Sequence, residues 1–242
     1  MPGKEDVLKQ VRAVLEHEPR INLHRYPLSI DLDSDGTLTL EGDAANIAAK
    51  KLALELGASI PGVSGIVDRL RVAPTEAMGD GAIRDHIRDA LLQDSALEGC
   101  GISVRIKDQM EICRESIGKP PARIELSVTD GVVTLNGRVS SLSHKRLAGL
   151  MAWWVPGSRD VINGLEVVPP EDDTDDEITD AVRAALEKDP FVNPDRMRVS
   201  TRNCVVTLNG FAVNQKEREM AEIDAWYIFG VDKVVNRLAT LQ

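Results

Sequence analysis

Four histidines and three cysteines are the side chains best suited to metal or nucleophilic chemistry in this chain of 242 residues. His17, His24, His86 and His144 are scattered, and none stands in a metal-binding spacing with another histidine, a cysteine or a carboxylate. Cys100, Cys113 and Cys204 form an odd set without Cys-x-x-Cys, which argues against a disulfide framework and a zinc site. Gly118-Lys119 lacks both the preceding spacing and the following Ser or Thr of a phosphate loop. No Gly-x-Ser-x-Gly occurs. No acid, base or nucleophile has a partner in sequence. The expectation is a protein that is not an enzyme, with no catalytic residue, metal or cofactor.

Two other features are candidates for binding. Five of the eight aromatic residues, Trp153, Trp154, Trp226, Tyr227 and Phe229, gather at two helix ends. Adjacent helical residues point about 100° apart, so both rings of a pair do not face one core. They suit either a protein interface or the lipid headgroup zone; packing of one ring in the core and the other on a neighbouring repeat is the structural alternative. The second feature is basic: Lys50, Lys145 and Arg218 hold one repeated helical position. Beside a membrane they would face phosphates; otherwise they are a solvated helix face. Trp153, Trp154, Trp226 and Tyr227 with Lys50, Lys145 and Arg218 are therefore the candidate lipid- or partner-binding set.

The elements that must position these residues are written three times. Val-Val-Thr-Leu-Asn-Gly occurs at Val132–Gly137 and Val205–Gly210, and Thr-Leu-Thr-Leu-Glu-Gly ends at Gly42. From each terminal glycine the same ruler runs on: Gly62, Gly157 and Gly230 come 20 positions later, Asp68, Asn163 and Asn236 come 26 later. Such a period means one small fold repeated. Each repeat opens with a helix whose apolar residues recur at i, i+4, i+8: Val7, Val11, Leu15; Ile83, Ile87, Leu91; Ile178, Val182, Leu186. A hairpin follows, turning at Asp35-Gly36, Asp130-Gly131 and Asn203-Cys204. In the third, either the turn differs or Cys204 bears strain at positive φ. A second helix and a last strand complete the order α-β-β-α-β. The fold class is α/β (α+β): three tandem repeats, each a small three-stranded mixed sheet covered on one face by two helices.

The repeats span residues 4–74, 80–169 and 174–242. The second carries an insertion, Gly101–Pro121, whose alternating Ile102, Val104 and Ile106 read as an added hairpin turning near Lys107–Gln109. An added hairpin has free edges, which suit an interface. The net charge of −10 argues against nucleic-acid binding and against purely electrostatic membrane docking. The start, Met1-Pro2-Gly3-Lys4-Glu5-Asp6, carries no apolar leader segment. The chain as written reads as cytoplasmic, or periplasmic if a leader has been removed.

The sequence resembles the BON domain, found in bacterial osmotic-stress and nodulation-associated proteins. The resemblance is carried by Asp-Gly-Val-Val-Thr-Leu-Asn-Gly at Asp130–Gly137, Ala148, Pro156-Gly157 and Val161–Leu165, and by their counterparts around Ala53, Gly62, Ala221 and Gly230. It implies a non-enzymatic, stress-associated role in the envelope, with binding to phospholipid surfaces. A soluble cytoplasmic interaction scaffold or homo-oligomer is the alternative, and cation (potassium) binding a third. The partner is accordingly expected to be a phospholipid surface or another protein.

Overall fold

A computed structural model describes residues 3–119 and 121–240; Met1, Pro2, Pro120, Leu241 and Gln242 lie outside the described residues. The first repeat runs α1 (Lys4–His17), β1 (Leu28–Leu32), β2 (Thr37–Ala44), α2 (Ile47–Ala58), β3 (Gly65–Val72). The second runs α3 (Asp80–Gln93), β4 (Gly101–Ile106), β5 (Gln109–Arg114), β6 (Arg123–Thr129), β7 (Val132–Val139), α4 (Leu142–Trp154), β8 (Asp160–Asn163), β9 (Glu166–Val167). The third runs α5 (Asp175–Lys188), β10 (Met197–Arg202), β11 (Val205–Ala212), α6 (Gln215–Tyr227), β12 (Lys233–Thr240). This is an α+β fold of small mixed sheets. In every repeat the middle strand pairs antiparallel with the strand before it and parallel with the strand after the second helix. The apolar stripes of α1, α3 and α5 are buried, as are the inward residues of the sheets. Each such Leu, Ile or Val contributes roughly 1.5–3 kcal/mol.

The terminal glycine of the hexapeptide has a steric cause. Gly42 and Gly210 lie opposite the first paired residue of the preceding strand, Leu28 and Met197, and Gly137 lies opposite Ile124, the second paired residue of its own. Gly137 and Gly210 have φ of +111° and +119°. A Cβ there would be driven into the carbonyl oxygens of Arg123 and Arg196. The next mark on the ruler is a hydrogen-bonding post. The side-chain oxygens of Asp68 and Asn236 accept from the amides of Leu70 and Leu238 at 2.9 and 3.1 Å. The amides of Asn163 and Asn236 donate to the carbonyls of Lys145 and Arg218 at 2.8 and 2.9 Å, tying the last strand to the second helix.

Turn chemistry follows the same economy. Asp80 accepts from the amides of Asp130 and Gly131, both at 2.9 Å. Asp175 does the same for Asn203 and Cys204 at 2.7 and 2.9 Å. Asn203 and Cys204 both have positive φ, 50° and 59°, so Cys204 occupies the turn glycine's conformation at a strain cost. At the start of α5, the Thr174 hydroxyl accepts from the Glu177 amide at 3.3 Å, the expected helix cap.

The chain forms two compact units, one ending at Ala73 and one beginning at Pro74. The second unit contains the second and third repeats packed together. Its six-stranded sheet runs β5-β4-β6-β7-β8, with β9 also on β7. The insertion is the expected hairpin, with its turn at Lys107-Asp108, and β4 joins β6 in parallel so that β5 becomes the edge. The expected continuous last strand of this repeat is interrupted instead. The amide of Gly164 donates to the carbonyl of Leu135 at 2.8 Å, and pairing resumes only at Glu166. The glycine sits where the other repeats have Arg69 and Arg237, and a Cβ there would meet Asn136 Oδ1 at 2.8 Å.

Candidate functional site

The helical basic residues are turned to internal use. Lys50 is only 4% exposed; its Nζ donates to the carbonyl of Leu70 at 2.9 Å and pairs with Asp68 at 2.9 Å. The Arg218 guanidinium donates to the carbonyls of Leu238 and Asn236 at 2.9 and 3.3 Å. The Lys145 ammonium lies 4.4 Å from the centre of the Phe229 ring, and burial pulls its pKa below the usual lysine value. In place of the lipid phosphates expected for these three, the structure gives each an internal partner. Eight residues past the strand glycine, a long basic side chain lies within reach of the last strand's carbonyls, and Lys50 and Arg218 bind them.

The paired aromatics are likewise spent inside the second unit. Trp226 is fully buried. Trp153 stacks on Tyr227, with centroids 5.3 Å apart and planes 14° from parallel. Trp154 Nε1 donates to Asp224 Oδ1 at 2.9 Å. Arg146, 3% exposed, donates to the Phe229 carbonyl at 2.9 Å and pairs with Asp173. These contacts fasten the second repeat to the third. Trp153, Trp154 and Tyr227 are half-buried rather than presented to solvent. The alternative in which the rings cover a neighbouring repeat describes them; a lipid-facing aromatic row does not.

The open face of the third sheet is the surface that stands out. Strand residues alternate between two faces; Val199, Val206, Leu208, Val234 and Leu238 point to the buried side. Register then places three rows on the other side: Arg202, Val205, Lys233; Ser200, Thr207, Val235; Arg198, Asn209, Arg237. Two strand spacings and four residues of rise put Arg198, Arg202, Lys233 and Arg237 at the corners of a rectangle about 10 by 13 Å. All four are exposed, and none forms an ion pair among the described residues. Phe211, 53% exposed, adjoins the Arg198–Arg237 edge. No acidic side chain shares these rows.

The corresponding corners are Ser29, Asp33, Gly65 and Arg69 in the first repeat, and Glu125, Thr129, Asp160 and Gly164 in the second. In the first, Arg69 faces Glu41 at 3.5 Å. The four-cation face is therefore peculiar to the third repeat. It was legible as Arg-x-Ser-x-Arg and Lys-x-Val-x-Arg, a period of two on strands 31 residues apart. Only the cross-strand register joins them.

A second cluster lies in the helix layer. Asp224 on α6 and Asp189, just past α5, line an apolar groove of about 620 Å³ with Trp154, Phe191, Met220 and Tyr227. Burial pushes the Asp224 carboxyl up to about 8; the Trp154 N–H opposes this and the Asp189 carboxyl adds to it. Burial, and then Asp224, also raises the Tyr227 hydroxyl. The thiols of Cys100, Cys113 and Cys204 are free, and burial raises each. Among the described residues no cluster of three His, Cys, Asp or Glu could hold a metal ion. No helix there is long and apolar enough to cross a membrane.

Comparison with known proteins places the repeats. Among solved structures, two chains of CdsD, a structural protein of the type III secretion system of Chlamydia trachomatis, align at 14% identity and a TM-score of 0.25. One alignment covers 100% of both chains; the other covers 98% of this chain and 92% of that one. At that TM-score the likeness bears on neither fold nor function. No curated protein matches the chain. The family model of the BON domain matches residues 4–74, 111–169 and 174–242. With more than half of its length so matched, and with the strand glycine in like place in all three repeats, the chain belongs to the BON domain family.

Proposed function

We propose that the protein is a non-catalytic, stress-associated binding protein that docks peripherally on anionic phospholipid through the open sheet face of its third repeat. The observation that carries this reading is the rectangle of Arg198, Arg202, Lys233 and Arg237, unpaired among the described residues and adjoined by exposed Phe211. The net charge of −10 does not forbid it. At physiological salt the Debye length is about 8 Å, so acids on other faces are largely screened from a membrane at this one. Each basic residue near an anionic surface contributes roughly 1 kcal/mol. Four supply about 4 kcal/mol, near a thousand-fold in partitioning. Vesicle flotation tests it. The protein is expected to float with vesicles of phosphatidylglycerol and phosphatidylcholine at low salt, and to be released at high salt. The double variant Arg198→Glu, Arg237→Glu should lose at least thirty-fold. Equal flotation of the two proteins sinks the reading.

A second reading, a homo-oligomer, is favoured by β5. This strand is the edge of the six-stranded sheet and exposes Met110 and Ile112, the latter by 62%. Edge strands of this kind pair with other chains. Light scattering of the protein and of Ile112→Lys distinguishes it: a dimer that the substitution converts to monomer supports it, and a monomer in both rejects it.

A further inference from the structure

The groove of Asp189 and Asp224 belongs to neither reading above, because it lies among helices and loops rather than on the open sheet face or the β5 edge. Its walls are apolar, Phe191, Met220 and Ile223 among them, and its volume of about 620 Å³ is that of a small-molecule site. In one wall sits a carboxyl that apolar surroundings should exclude. Asp224 is 3% exposed. Its Oδ1 accepts from Trp154 Nε1 at 2.9 Å, while the buried Oδ2 has no protein donor. The carboxyl it faces is Asp189, whose Oδ1 accepts from the Phe191 amide at 2.8 Å.

Two facing carboxyls in an apolar wall have two ways to be stable. They share a proton, or a cation stands where the proton was. The side chains around them decide which cations fit. Lys188, next in sequence to Asp189, is drawn off to Asp94 at 2.8 Å. On α6 the charged groups lining the groove are Lys216 and Glu219. Lys216 precedes Asp224 by eight residues, about 12 Å along the helix, too far to neutralise it. From α4 only the Trp154 indole N–H reaches the pair. Phe191, Trp154 and Tyr227 bring aromatic rings to the same groove, and ring faces attract ammonium groups.

We infer that this groove binds a small hydrophobic ammonium ion, its apolar body between Phe191, Met220 and Ile223 and its charged nitrogen between the carboxyls of Asp189 and Asp224. The nitrogen takes the place of the shared proton, which leaves to solvent as the ligand enters. Charge balances: the pair carries one negative charge before, and two negatives with one positive after. Affinity therefore rises with pH while the proton is being displaced, and levels once the pair is already ionised, above about 8.

Calorimetric titration of the full chain with benzylammonium, benzyl alcohol and benzoate tests this. The ammonium is expected to bind at least ten-fold more tightly than the alcohol, with benzoate weaker still. Its affinity should climb by close to ten-fold per pH unit below about 8. Heats in two buffers of unlike ionisation enthalpy should reveal proton release. Asp189→Asn and Asp224→Asn should each abolish the preference for the ammonium over the alcohol and the proton release. Binding of the alcohol as tight as the ammonium, absence of ammonium binding to the folded protein, or a preference surviving in both variants would overturn the inference.

Discussion

The substitution Asp224→Asn isolates the cost of the buried carboxyl. In the folded protein Asp224 keeps its proton up to about 8, against an ordinary value of 3.8. Once unfolded, the group ionises at the ordinary value. Between these limits the folded state holds a proton that the unfolded state has lost. The unfolded state thus binds fewer protons, and stability falls as pH rises. The slope is about 1.4 kcal/mol per pH unit for a full proton, so roughly 3 kcal/mol is lost between pH 5.5 and 7.5. Below about 4 the contribution is complete, and above about 8 nothing further is lost. The asparagine keeps an oxygen for Trp154 and turns an N–H toward Asp189, but cannot titrate. Urea denaturation followed by tryptophan fluorescence reads the right region, because Trp153, Trp154 and Trp226 all lie in the second compact unit. Wild type should lose stability between pH 5.5 and 7.5 and the variant should show a flatter profile, being the more stable of the two at pH 7.5. Parallel profiles for the two proteins would refute the reasoning.

Other expectations follow from the same structure. Gly210→Ala drives a methyl group into the Arg196 carbonyl at a φ of +119°; it should cost more than 3 kcal/mol by denaturant titration, on the order of an overpacked core plus backbone strain. Cys204→Gly relieves a side chain held at a φ of 59°, and should raise stability by about 1 kcal/mol with the fluorescence spectrum unchanged. Arg146→Ala strips the Phe229 carbonyl and Asp173 of their buried partner. It should cost about 3 kcal/mol and expose Trp154 to acrylamide quenching as the two repeats loosen.

The repeat was readable because steric and hydrogen-bonding needs recur at fixed spacing. A glycine pressed on an opposing carbonyl, and an Asp or Asn that bonds two residues ahead, leave marks that one sequence shows three times. The inserted hairpin was equally plain, since Ile102, Val104 and Ile106 alternate on one side of a polar turn. The break in the last strand at Gly164 was masked by the apolar residues on either side of it. Binding residues were harder to place because their neighbours are distant in sequence. Lys50 and Arg218 looked like free helical cations; what consumes them is the carbonyl row of a strand 20 residues on. Trp154 and Asp224 meet across 70 positions. The cationic rectangle needs the registers of three strands at once, and β10 and β12 each read alone as an ordinary solvated edge.

Membrane contact by the third sheet, rather than by the helix-end aromatics, is most directly tested with depth-resolved fluorescence. Vesicles carrying brominated acyl chains quench tryptophans only at short range. On anionic vesicles the native Trp153, Trp154 and Trp226 should stay unquenched, while the variant Phe211→Trp, placed at the exposed edge of the cationic face, should gain a strongly quenched component. Quenching of the native tryptophans, with nothing added by the new ring, would contradict the account.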